Sequence, residues 1–174
     1  SGCDATLRRM NRHYTAAEYA ALCARLRKIF PNCSLTTDVM VGFAGETDSE
    51  FQESLEFVRQ IAFAKVHVFP YSVRPGTAAA TRTDQIPSAI KESRTHWMLS
   101  AAAELRAAFL QTQLGQICDV LFETRCKDGS AMGYTSNYTP VHVPTDRNLQ
   151  NQLLPVRLVA VDGDCCIGEI CTHA

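Results

Sequence analysis

A chain of 174 residues, 46% apolar and 20% charged, has enough hydrophobic material for one domain or one and a half. A net charge of −1 argues against a wholly basic nucleic-acid binder. No apolar run approaches the ~20 residues of a membrane helix, and no basic-then-apolar leader opens the chain, so a soluble, cytoplasmic, non-membrane protein is expected.

The charge is unevenly spread, and its distribution carries the information. Residues 1–28 hold six basic side chains (Arg8, Arg9, Arg12, Arg25, Arg27, Lys28) against Asp4 and Glu18, whereas residues 29–58 hold six acids and neither Lys nor Arg. A polyanion is therefore expected to meet the first segment.

In chain order, residues 1–4 read as a strand end, followed by a short helix through Leu7 and Met10. Thr15 with Glu18 forms a capping box for a second helix, with Tyr19, Leu22, Cys23, Leu26 and Phe30 on one face and Pro31-Asn32 as its stop. Residues 35–41 form a strand. Gly42 and Gly45 then turn the chain into Thr47-Asp48-Ser49-Glu50, a second capping box, whose helix points Phe51, Leu55, Val58 and Ile61 inward. Residues 65–69 form the next strand. Such continuous apolar strands around a helix imply parallel pairing with helices packed outside, an α/β architecture of barrel type. Pro87 opens a long helix to about Gln113.

Beyond Gly115 the texture changes to short strands, at 116–124, 130–134, 139–143, 153–161 and 165–171, with turns at Lys127-Asp128-Gly129 and Asp162-Gly163-Asp164. Five strands in about sixty residues suggest a small OB-like barrel. The expected division is 1–84, a connecting helix at 85–113, and a β-domain at 114–174.

Eight cysteines (Cys3, Cys23, Cys33, Cys118, Cys126, Cys165, Cys166, Cys171) lack the paired spacings of a zinc site or iron–sulfur run, so no metal centre is expected and free thiols are the plain reading. His13, His67, His96, His142 and His173 stand isolated, which gives a hydrolase triad no support, and His67 reads as a core residue. In a barrel, ligands sit at the C-terminal strand ends, here residues 1–4, 41–43 and 69–72.

Three stretches carry a family resemblance: Ser1-Gly2-Cys3-Asp4 with Leu7-Arg8-Arg9-Met10-Asn11-Arg12-His13-Tyr14-Thr15, then Thr37-Asp38-Val39-Met40-Val41-Gly42-Phe43-Ala44-Gly45-Glu46-Thr47, then His67-Val68-Phe69-Pro70-Tyr71-Ser72-Val73-Arg74-Pro75-Gly76-Thr77. Together they resemble the methylthiotransferases, radical S-adenosylmethionine enzymes that put a methylthio group on tRNA. The resemblance implies the last strands and helices of a radical S-adenosylmethionine barrel of TIM type, followed by a TRAM β-barrel whose central motif Gly133-Tyr134-Thr135-Ser136-Asn137-Tyr138 resembles. It also implies that the chain starts in mid-domain and that the N-terminal half of the same protein is missing.

What the resemblance implies for sites is specific. Ser1 and Gly2 would lie beside the ribose and methionyl part of S-adenosylmethionine, and residues 39–42, Val41 and Gly42 among them, beside its adenine. Phe69 and Tyr71 would close the pocket, Asp38 would face the barrel interior, and Arg12 would pair with the cofactor carboxylate. Arg8, Arg9 and Arg74 would contact tRNA phosphate, while Tyr134 and Tyr138 stack on bases and Asn137 reads a base edge. The bland alternatives are a turn glycine, a core aromatic and a solvated arginine. Four basic residues against seven acids from Gln113 onward also depart from an RNA-binding footprint. The family's two 4Fe-4S clusters have no ligands in this chain, so the chain alone is expected to be inactive. Within the family the motifs most resemble the threonylcarbamoyladenosine enzyme. The isopentenyladenosine and ribosomal-protein branches, and a non-catalytic RNA-binding fragment, stand as alternatives.

Overall fold

The computed structural model describes residues 1–171 of the chain; His173 lies outside them. Two compact units divide the sequence, the first being Ser1–Leu105 and the second beginning at Arg106.

The first unit is built from α1 (Asp4–Arg9), α2 (Ala16–Ile29), β1 (Thr36–Val41), α3 (Asp48–Ile61), β2 (Lys65–Pro70) and most of α4 (Ser88–Gln113). Both capping boxes form: Thr15 accepts from the Glu18 N–H and Thr47 from the Glu50 N–H, while each glutamate carboxylate accepts from its threonine N–H. These bonds satisfy backbone donors that the first helical turn leaves without partners, and they fix both helix starts where the sequence places them. α3 ends at Ala62, whose φ of 55° is left-handed.

β1 and β2 pair in parallel, with Asp38 opposite His67, Met40 opposite Phe69 and Val41 opposite Pro70. The core lies on one side of this pair, where Val39, Val41 and Val66 meet Phe51, Leu55, Val58 and Ile61 of α3, with Phe63, Met98 and Ala101. The other side is open: Asp38, Met40, His67 and Phe69 are all exposed. The described residues thus form one strand–helix–strand unit with a two-stranded sheet, and the expected barrel is not formed within them. The strands alternate instead of being covered on both faces, which corrects the reading of continuous buried strands and that of His67 as a core residue. The α2 expectation also needs correction, because only Cys23 is buried while Leu22 and Phe30 are exposed.

The second unit is a closed five-stranded barrel. Its strands are β3 (Ile117–Arg125), β4 (Ala131–Thr135), β5 (Pro140–Val143), β6 (Leu153–Asp162) and β7 (Cys165–Ile170), in the order β3-β4-β5-β7-β6. All five lie where the turn residues and strand-like composition predict. Every pairing is antiparallel except β5 with β7. Val120, Phe122, Val141, Val143, Val156 and Leu158 fill the interior, and Leu110 from the C-terminal part of α4 belongs to the same core. Closure removes the exposed strand edges that would otherwise template association.

Candidate functional site

The C-terminal ends of β1 and β2 lie side by side, because the Tyr71 N–H donates to the Val41 carbonyl at 2.8 Å and extends the parallel pairing by one bond. From this edge, Phe43 and Tyr71 face each other with ring centroids 5.0 Å apart at 64°, the edge-to-face arrangement that aromatic quadrupoles favour. Tyr71 is buried and its hydroxyl has no hydrogen-bond partner. A buried phenol without a partner costs on the order of 1–3 kcal/mol.

Gly42 turns the chain away from β1 with φ +69°, a conformation that side chains other than glycine rarely adopt. Its Cβ, if present, would stand 2.5 Å from Lys91 Cγ, so the lysine stem of α4 and not a ligand occupies that side of the turn. Lys91 Nζ donates to the Tyr71 carbonyl at 2.9 Å and lies 5.2 Å over the Tyr71 ring. One side chain thereby clamps both strand ends.

Beneath the turn lies an ion pair that the sequence reading missed. The Gly42 N–H donates to Glu46 Oε2 at 2.7 Å, and Arg94 Nη1 lies 2.9 Å from the same oxygen, with only 1% and 6% of the two side chains exposed. Arg94 also donates to the Glu46 carbonyl at 3.0 Å and pairs with Asp48 at 2.7 Å. Burial pushes the Glu46 carboxyl up, while the Gly42 N–H and Arg94 act to hold it charged. A glutamate four residues after the turn glycine Gly42 could have flagged this pair, but nothing local announces Arg94 as its partner.

Residues 1–4 join the same end of the sheet. The Gly2 N–H donates to Ser54 Oγ of α3 at 2.8 Å, and a Cβ on Gly2 would lie 2.4 Å from Phe57 Cβ. Close packing on α3 therefore already demands glycine there. Ser1 Oγ accepts from the Cys3 N–H at 3.2 Å, and Arg12 is exposed. Asp38 and Phe69 stand on the open side of the sheet, Phe69 being 51% exposed, while Val41 is core. A cavity of about 40 Å³, bordered by Ser1, Gly2, Tyr19, Asp38 and Phe63, has room for little more than one water and cannot itself take a nucleoside.

The residues expected at RNA separate into two groups. Arg8 and Arg74 are exposed, whereas Arg9 is committed to Glu50 at 2.5 Å and to Thr6 at 3.1 Å. In the barrel, Tyr138 is 81% exposed at φ 60°, with its ring 6.4 Å from that of Tyr134. Asn137 points the other way. Its Oδ1 accepts from Thr135 Oγ1 at 2.6 Å and Thr139 Oγ1 at 2.7 Å, and its Nδ2 donates to Gln113 at 3.1 Å. These bonds tie the Asn137 side chain into the β4–β5 turn and to α4.

A family model for the radical SAM superfamily matches residues 1–58. Relatives named tRNA-2-methylthio-N(6)-dimethylallyladenosine synthase align along nearly the whole chain. The protein of Syntrophotalea carbinolica is 34% identical over 97% of this chain and 39% of its own length. That of Rickettsia canadensis is 36% identical over 99% and 39%, and that of Desulfitobacterium hafniense 35% over 97% and 38%. The chain thus spans about two fifths of the length of the relatives it matches. All three carry the dimethylallyl name, and the threonylcarbamoyladenosine branch expected from the motifs finds no support among them.

Proposed function

We propose that this chain is the C-terminal portion of a cytoplasmic tRNA methylthiotransferase of the radical S-adenosylmethionine type, and that the β1 and β2 ends form part of its cofactor site. The carrying observation is the alignment of nearly the whole chain with relatives named tRNA-2-methylthio-N(6)-dimethylallyladenosine synthase, and beside it stand the strand ends where residues 41–43 and 69–71 run together. The open face with Asp38, Met40, His67 and Phe69 would be the side on which the reactants meet.

In this reading part of the cofactor would meet residues of this chain. Ser1, Arg12 and the Gly42 turn would hold S-adenosylmethionine, with Phe69 beside it and Tyr71 beneath. When bound, that cofactor supplies the methyl group and the organic radical of the reaction. What this chain's own residues do is position and shield: Lys91 and the Glu46–Arg94 pair fix the turn, and Phe43 on Tyr71 keeps water out of the strand ends. Iron–sulfur clusters do not fit the residues present, because among the described residues no three cysteines gather. In this reading their ligands belong to the remaining three fifths of the protein, and no step is assigned to a cluster here.

The substrate would be an N6-modified adenosine of tRNA. Names of the relatives favour the dimethylallyl base. A second reading, the threonylcarbamoyl base, is favoured by the Ser1-Gly2-Cys3-Asp4, His67-Val68-Phe69-Pro70-Tyr71-Ser72 and Gly133-Tyr134-Thr135 runs. Mass spectrometry of tRNA nucleosides from cells with and without the gene separates the two. Loss of the methylthio form of one base in the deletion names the substrate, and loss of neither removes the proposal.

A further inference from the structure

We propose that Cys126, Asp128 and His142 form a binding site for a single zinc-class divalent metal ion on the β-barrel, independent of the reading above. One ligand atom from each, Sγ, a carboxylate oxygen and an imidazole nitrogen, lies within 4.8 Å of the other two. Ligands at 2.0–2.3 Å from a shared tetrahedral ion stand about 3.5 Å apart, so closing onto a metal takes about 1 Å of side-chain adjustment.

One turn and one strand supply the donors. Cys126 and Asp128 belong to the β3–β4 turn, which is held by the Cys126 N–H donating to the Ser130 carbonyl at 2.8 Å and the Gly129 N–H to the Cys126 carbonyl at 3.0 Å. His142 comes from β5, paired with Met132 on one side and Ile167 on the other. No short cysteine spacing marks the set, which is why the sequence conceals it and why His142 reads as isolated.

The present hydrogen bonds show what an ion would replace. Ser130 Oγ donates its one proton to Asp128 Oδ1 at 2.5 Å, so its contact with His142 Nε2 requires that nitrogen to carry a proton and donate. Asp128 Oδ2 is 3.9 Å from the same nitrogen. A proton on Nε2 thus holds the serine and carboxylate around the imidazole in the place a metal would take; metal binding at Nε2 would shift that proton to Nδ1 and release the Cys126 thiol proton. Serine, histidine and aspartate here do not form a relay, because serine and carboxylate both address Nε2 and the carboxylate does not orient Nδ1. Arg125 turns to the Gly129 and Asp146 carbonyls, at 3.3 and 3.5 Å. Asp128 is exposed, which gives an ion a route in.

One sulfur, one nitrogen and one oxygen suit a borderline ion in a three-ligand site with the fourth position open to water. Titrating the reduced 174-residue chain with Co²⁺ tests this. The expected result is a thiolate-to-cobalt charge-transfer band that saturates at one equivalent and is abolished by one equivalent of Zn²⁺. C126S should remove the band, and D128N, which keeps an Oδ1 acceptor for the Ser130 N–H and hydroxyl, should weaken Co²⁺ binding at least tenfold while leaving thermal unfolding of the barrel unchanged. C118S should leave both unchanged. Absence of the band in the unmutated chain, its survival in C126S, or unchanged affinity in D128N would overturn the site.

Discussion

Tyr71 shows how one side chain can carry two roles that the sequence cannot separate. An aromatic after a strand predicts a pocket wall equally well as a core ring, and the structure makes it a ring packed on Phe43 with an unsatisfied hydroxyl. Tyr71→Phe should therefore leave thermal stability unchanged or slightly raised, since it deletes a buried polar atom without a partner. The same change should weaken S-adenosylhomocysteine binding by the full-length protein several-fold in calorimetry if the hydroxyl meets the cofactor. Arg94 lies at the opposite extreme. Removing it leaves Glu46 buried and uncompensated, so Arg94→Met should cost about 3 kcal/mol in urea denaturation. Glu50 gives a pH signature. Burial acts to raise its carboxyl, but bonds from Arg9 and Thr47 outweigh this and hold it below the ordinary glutamate range. A lowered acid stabilises the fold above its unfolded value, near 4.3, and loses that contribution as the pH falls through its folded value. Glu50→Gln should accordingly cost about 1 kcal/mol at neutral pH, a difference that shrinks toward zero in acid denaturation profiles. Glu50 was legible from its spacing to Thr47, whereas the Glu46–Arg94 pair joins residues 48 apart and no local pattern reports it.

Helix starts and barrel strands were the legible elements, because both are written in short-range chemistry. Thr15 with Glu18 and Thr47 with Glu50 fix their helices by bonds spanning three residues, and glycine or aspartate marks the barrel turns. Burial was less legible. Val39-Met40-Val41 reads as a continuous apolar run, yet Met40 points to the open face beside Phe69, and only the register of β1 against β2 decides this. The β4–β5 turn shows the limit from the other side. A Tyr-Thr-Ser-Asn-Tyr run suggests base recognition, but Asn137 bonds to Thr135, to the fully buried Thr139 and to the buried Gln113 of α4. Asn137→Ala should lower the midpoint of barrel unfolding, at a cost of about 2 kcal/mol, because it leaves these groups unsatisfied. Tyr138→Ala, at an exposed position, should not; filter binding of tRNA by the two variants would then distinguish a structural turn from a stacking platform.

At the scale of the molecule, each unit has its own apolar core, and α4 contributes Met98 and Ala101 to the first and Leu110 to the second. The first unit leaves one face of its sheet open, with Asp38 and Phe69 upon it, and this face adjoins the strand ends proposed for the cofactor. Among the described residues no helix is long and apolar enough to cross a membrane. The central claim, that this open face belongs to the reaction site of a tRNA methylthiotransferase, is tested most directly by nucleoside mass spectrometry. In a deletion strain complemented with the full-length gene, Asp38→Ala and Phe69→Ala alter exposed side chains and should leave protein levels unchanged, while the methylthiolated adenosine falls at least about tenfold, some 1.4 kcal/mol or more in the limiting step. Wild-type methylthiolation in both variants would contradict it.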